Sequence, residues 1–152
     1  MKAGEAVFLD TNILVYAVEE DNPLHNKATD LINRVITGEL AICLSPQVIG
    51  EMYATITNPR RIKKVCRPDQ AVDIAESIWN SNAILKIFAR RQTLDLTLRI
   101  VKRLQLESAD FFDAQIAATM LDNGITTIYT VNEKDFALFE EITAINPFRA
   151  DQ

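Results

Sequence analysis

Four acids stand out from the twenty-one Asp and Glu residues of this 152-residue chain by the company they keep. Asp10 closes the apolar run Val7-Phe8-Leu9. Glu51 lies inside Val48-Ile49-Gly50-Glu51-Met52-Tyr53, Asp113 follows Phe111-Phe112 and precedes Ala114, and Asp135 stands just before Phe136. A carboxylate in apolar surroundings is costly unless it is hydrogen-bonded or holds a cation. A helix cap or a satisfied ion pair accounts for any one of them alone. Together, and without histidine or cysteine nearby, they form an all-oxygen donor set, which suits Mg²⁺ or Mn²⁺ and is wrong for structural zinc. A divalent cation relieves the mutual repulsion, activates water, orients a phosphodiester and stabilises charge on the leaving oxygen. The residues therefore point to metal-assisted phosphodiester hydrolysis, for which the protein need supply no nucleophile.

What is missing narrows the chemistry further. The single histidine, His25, sits in a polar stretch and reads as a surface residue, so one chain cannot run a paired-histidine mechanism. No phosphate-cradling glycine loop, dinucleotide turn or nucleophile elbow occurs. Cys43 and Cys66 make neither a CxxC pair nor a disulfide framework. No apolar stretch is long enough for a membrane span, and the N-terminal residues lack the pattern of a secretory leader, so a cytoplasmic protein with no membrane partner is expected. The net charge of −5 argues at first against a polyanionic partner, but the charge is segregated. Arg60, Arg61, Lys63, Lys64 and Arg67 follow one another with no acid between them. They read either as a solvated surface or as a local phosphate-binding patch.

The elements that must position these groups follow from periodicity and stop signals. Val7 to Leu9 reads as a buried strand ending at Asp10, followed by an apolar-periodic segment over 13–18. A helix over 28–36 stops at Thr37-Gly38. A strand over 40–44 leads to Ser45-Pro46, a helix start with the hydroxyl as cap, and the helix over 47–56 buries Val48, Met52 and Ile56. Further helices are predicted over 68–79, from Thr93 with Leu94, Leu98, Val101 and Leu104 on one face, and from a Ser108 cap over 109–121. Strands are predicted over 84–88, 126–131 and 142–145. Strands alternating with helices mean an α/β domain with a mainly parallel sheet between helices, and such sheets bind ligands beyond the carboxyl ends of their strands. A length of 152 residues suits one domain spanning the chain.

Four segments also carry a family resemblance: Phe8-Leu9-Asp10-Thr11-Asn12-Ile13-Leu14, Ser45-Pro46-Gln47-Val48-Ile49-Gly50-Glu51, Asp113-Ala114-Gln115-Ile116-Ala117-Ala118, and Thr130-Val131-Asn132-Glu133-Lys134-Asp135-Phe136. In this order, with Asn146-Pro147-Phe148 closing the chain, they resemble the motifs of PIN-domain proteins. The resemblance implies a three-layer α/β/α sandwich and a Mg²⁺- or Mn²⁺-dependent endoribonuclease, with Asp10, Glu51 and Asp113 as metal ligands. Thr11 or Asn12 would support Asp10 from behind. In the fourth motif Asn132 stands where an acid is usual after Thr130, so either Asn132 or Asp135 completes the site. Asp110 shares a helix face with Asp113 but is explained by a position in the first helical turn. Single-domain members are often VapC-type toxins, commonly dimeric and held by a small antitoxin. The competing readings are a non-catalytic PIN-like module binding RNA or protein, and a processing nuclease without a toxin role. Haloacid-dehalogenase-like phosphatases are excluded by Asn12, where their second aspartate would stand.

Overall fold

The computed structural model describes residues 5–149, so the expected domain limits at 1 and 152 lie outside the described residues. Within them the elements run β1 (Val7–Leu9), α1 (Thr11–Val18), α2 (His25–Ile36), β2 (Ile42–Leu44), α3 (Pro46–Ile56), α4 (Pro68–Trp79), β3 (Ile84–Lys86), α5 (Arg91–Leu104), α6 (Asp110–Asp122), β4 (Thr127–Tyr129), α7 (Glu133–Phe136) and β5 (Thr143–Ile145). All strand pairs are parallel, in the order β3-β2-β1-β4-β5. The first strand is thus the central one, with Phe8 in register with Cys43 on one side and Ile128 on the other. Phe8, Leu9, Ile42, Cys43, Leu44 and Ile128 are fully buried, as a parallel sheet covered on both faces requires.

The strand order sets the layers. From β1 the chain steps outward through β2 to β3, then returns to place β4 on the other side of β1. Right-handed crossovers therefore put α1 to α4 on one face and α5 to α7 on the other. Packing agrees: α1 touches α2 and α3, and α3 touches α4, while α6 touches both α5 and α7. This is the three-layer α/β/α sandwich. Helix α3 starts with Pro46 at its first position and buries Val48, Met52 and Ile56, as its period requires. The glycines that end α2 and α6 adopt φ +84 at Gly38 and +74 at Gly124, the left-handed conformation for which glycine is suited. Burial pushes the Cys43 thiol up to about 12, so it stays protonated, and Cys66 is likewise free.

Three local expectations are corrected. Helix α5 begins at Arg91 rather than at a Thr93 cap: Thr93 is buried and its hydroxyl accepts from the Arg90 N–H at 2.8 Å. Its inward face is Thr93, Thr97 and Ile100, whereas Leu94 and Leu98 are about half exposed. The neighbour is α6, the helix against which α5 packs. The threonine hydroxyls are satisfied within the pair, Thr97 by the Thr93 carbonyl at 2.8 Å and Thr93 by the Asp122 carboxylate. Ser108 does not cap α6; it has φ 51 and the helix starts at Asp110 with no side-chain cap. Ser45 does stand at the N-cap of α3, but its hydroxyl makes no capping bond.

Candidate active site

At the switch point between β1 and β4 the chain leaves two neighbouring strands in opposite directions, which opens a crevice at their carboxyl ends. A cavity of about 730 Å³ lies there, and Asp10, Glu51, Asp113 and Asp135 all line it. Each arrives by a different route. Asp10 is the residue between β1 and α1, and Glu51 is in the second turn of α3, just past β2. Helix α6 connects to β4 through Asn123-Gly124 and so runs back along the sheet, which brings its first turn, with Asp113, to the same edge. Asp135 lies in the short helix after β4, an element the sequence pattern did not reveal.

Asp10 is almost fully buried and is held from three sides. One carboxylate oxygen accepts the Thr11 N–H at 2.8 Å. The other accepts the Thr130 hydroxyl at 2.7 Å and the Asn12 amide at 3.3 Å. Thr130 is itself buried and its oxygen accepts the Asn132 N–H at 3.0 Å, so the strand β4 turn is tied to the central acid. Glu51 is gripped just as closely, by the Thr11 hydroxyl at 2.9 Å and the Gln47 amide at 2.7 Å. Thr11 therefore serves both acids, its amide on Asp10 and its hydroxyl on Glu51. Gln47 was missed in the sequence, although its position one turn before Glu51 on α3 is the available signal. Its amide also reaches the Phe112 carbonyl at 3.3 Å, joining α3 to the first turn of α6.

The electrostatics are those of crowded like charges. Burial raises the Asp10 carboxyl above the ordinary aspartate value in spite of its three donors, with Glu51 and Asp135 adding to the rise. Asp113 is pushed up to about 7, mainly by burial and then by the charges of Asp135, Asp10, Asp110 and Glu51. Such a site favours either protons or a cation. Among the described residues no three His, Cys, Asp or Glu side chains converge into a ready-made cage. The donor set nonetheless fits a hard divalent ion in kind: carboxylate oxygens, a buried Asn12 Oδ1 with no hydrogen-bond partner, and no nitrogen or sulfur ligand.

The remaining expectations divide. Asn132 lines the cavity, whereas Asp110 lies on a neighbouring pocket that it shares with Asp113 and Asp135. Of the basic segment, only Arg61 lines the carboxylate cavity; Lys64 borders a separate cleft, and Arg67 is paired with Asp69 at 3.2 Å. All five cations are exposed. Tyr16, Glu19, Asn22 and Phe112 also line the cavity and were not singled out by motif. His25 starts α2 and its ring nitrogen pairs with the Tyr16 carbonyl at 2.9 Å, which accounts for it structurally.

The PIN domain family model matches residues 7–142, and the chain belongs to that family. It is similar to Ribonuclease VapC48 of Mycobacterium tuberculosis, 26% identical over 140 residues that cover 91% of this chain and 95% of the relative. Its fold matches the crystal structure of VapC20, a sarcin–ricin loop cleaving toxin of the same organism, with a TM-score of 0.66 and 20% identity over 88% of this chain and 95% of the other. It also matches a chain in a toxin–antitoxin complex from Klebsiella pneumoniae, with a TM-score of 0.61 and 17% identity over 95% and 100% of the two chains. Among the described residues no helix is long and apolar enough to cross a membrane.

Proposed function

We propose that this single PIN domain is a metal-dependent endoribonuclease, the toxin of a toxin–antitoxin pair, that hydrolyses RNA phosphodiester bonds at the carboxylate cavity. The observation that carries the reading is the meeting of Asp10, Glu51, Asp113 and Asp135 in one crevice at the sheet's switch point. Asp10, Glu51 and Asp113 would hold Mg²⁺ or Mn²⁺, with Asp135 as the fourth carboxylate and Asn132 at its rim. When bound, the ion supplies an activated water and neutralises charge on the phosphate.

The chain's own residues do the rest. Thr130, Asn12 and the Thr11 amide fix the Asp10 carboxylate, and the Thr11 hydroxyl and Gln47 fix Glu51. Outer partners of this kind orient ligands, and losing one typically costs about 10- to 100-fold in metal affinity or activity. Arg61 offers a cation to a phosphate entering the cavity, while Arg60, Lys63, Lys64 and Arg67 are the exposed cations of the same connecting segment, proposed to bind RNA outside it. An antitoxin named for the complexes of similar folds, and a second copy of the chain, are the protein partners assigned to this reading.

The test is cleavage of an unstructured RNA by the purified protein. Cutting should require Mg²⁺ or Mn²⁺ and stop with EDTA. Glu51→Gln, which keeps the side chain's shape, should lower the rate by orders of magnitude while the thermal transition is retained or raised. Cleavage that continues in EDTA, or a fully active Glu51→Gln, overturns the proposal.

A further inference from the structure

Of the large apolar and aromatic side chains in the wall of this cavity, Val15 and Phe136 are buried and Tyr16 is half-buried, whereas Phe112 is open to solvent without being used by the carboxylate machinery. Phe112 is 54% exposed. It belongs to the first turn of α6, directly before Asp113 in the chain. Two contacts hold it in place. Its carbonyl accepts from Gln47, the residue that also orients Glu51, and its ring meets Phe111 edge-on with centroids 5.7 Å apart and planes at 86°. Stability does not explain it, because burying that ring would serve the core better than leaving it open to solvent.

We infer that Phe112 is a stacking platform for one unpaired nucleobase beside the scissile phosphate, so that the site selects single-stranded RNA. The inference rests on the nuclease reading above. A flat apolar face suits a base, since every base presents a π-face and stacking is tolerant of sequence. The same cavity offers Arg61 for the phosphate and Asn22, Asn132 and Thr55 for polar edges. Bases within a duplex are stacked on one another and closed to such a platform, whereas those in loops and single strands can be splayed onto an aromatic ring. The position next to Asp113 makes substrate choice and chemistry neighbours on one helical turn. An exposed phenylalanine also suits a protein partner; Arg61 in the same cavity, a cation for a phosphate, is what favours RNA.

The experiment compares the unmodified protein with Phe112→Ala, Phe112→Leu and Phe112→Trp, each first shown to unfold at the temperature of the parent. Cleavage with Mn²⁺ is measured on an unstructured RNA and on the same RNA annealed to its complement. The parent should prefer the single strand by at least tenfold. Phe112→Ala should raise KM for the single strand by about 5- to 150-fold, the equivalent of the ~1–3 kcal/mol that a stacked base contributes. Phe112→Leu should fail similarly, since it has apolar area but no ring, and Phe112→Trp should restore the KM. A readout independent of cleavage comes from the Phe112→Trp indole, because the chain's other tryptophan, Trp79, packs against Phe88 and does not line the cavity. Its emission should be quenched by single-stranded RNA in Ca²⁺ and not by duplex.

If the parent cuts RNA but Ala and Leu variants match it in KM, the platform is wrong and the nuclease reading stands. If the Trp variant is quenched by single strands while no protein cuts RNA, the platform stands and the nuclease reading falls. If RNA neither quenches nor is cut, both fail. Reduced binding of a protein partner with unchanged RNA kinetics also overturns the platform.

Discussion

At the scale of single residues, the two acids of the first turn of α6 have different jobs. Asp110 occupies the first helical position, is exposed and needs no metal to account for it, since a negative charge there favours the free amides. Asp113 is half-buried, and that burial first, then the like charges around it, push its carboxyl up to about 7. Asp113→Asn should abolish metal-dependent cleavage. Asp110→Asn should retain substantial activity and lose about 0.3–1 kcal/mol of stability. Cleavage rate and Mn²⁺ affinity of the two variants side by side decide it, and the reverse result would move the third ligand one turn earlier. The raised Asp113 also predicts a pH dependence. Its folded value of about 7 lies above the ordinary 3.8, so the folded protein binds more protons between those limits and stability falls as pH rises through that window. Without divalent ions the melting temperature should decline from pH 4.5 to 7.5. Asp113→Asn should flatten the slope, and Mn²⁺ at pH 7.5 should raise the melting temperature. A flat profile for the parent protein would show that Asp113 ionises as an ordinary carboxylate.

At the scale of elements, the segment between α3 and α4 is a turn-rich connection pinned by the buried Ile62, with its cations outside. Because only Arg61 reaches the cavity, Arg61→Ala should account for most of the loss when Arg60, Arg61, Lys63 and Lys64 are neutralised together. RNA binding should weaken and its salt dependence flatten, with turnover at saturating RNA much less affected. An unaltered salt slope would return the segment to solvated surface. Elements were also where the sequence was least legible. The acids Asp10, Glu51 and Asp113 were readable because apolar flanks around a charge are a local signal, and strands β1 and β2 because continuous apolar runs are. The start of α5 was not. Leu94 and Leu98 look like a core stripe by hydropathy, yet the face turned inward is Thr93, Thr97 and Ile100, and that choice depends on how α5 packs on α6. Ser108 was misread for a similar reason: an N-cap residue type carries no information about its backbone, here left-handed. The dual role of Thr11 depends on where α3 lies relative to α1, which no local pattern specifies, whereas Gln47 had a local signal in its place one turn before Glu51.

At the scale of the whole molecule, α5 presents Leu94 and Leu98 one turn apart, each about half exposed. The proposed pairing of two copies is tested at this face. Sedimentation should show a dimer for the parent protein and a monomer of unchanged melting behaviour for the double variant Leu94→Lys, Leu98→Lys. A dimer that survives the double substitution places the contact elsewhere.

The central position of β1 has a consequence in time rather than in space. During synthesis the ribosome delivers Asp10 first and Glu51 soon after, but the neighbour that completes the sheet beside β1 is β4, and the hydroxyl that anchors Asp10 belongs to Thr130. Asp113 and Asp135 also come late. A nascent chain interrupted before Thr127 therefore holds three of the four carboxylates but leaves β1 as an uncovered edge, and loop closure across some 120 residues must precede any competent site. On the nuclease reading, the site is therefore incomplete until translation is nearly finished, and a chain truncated before Thr127 should not cleave RNA.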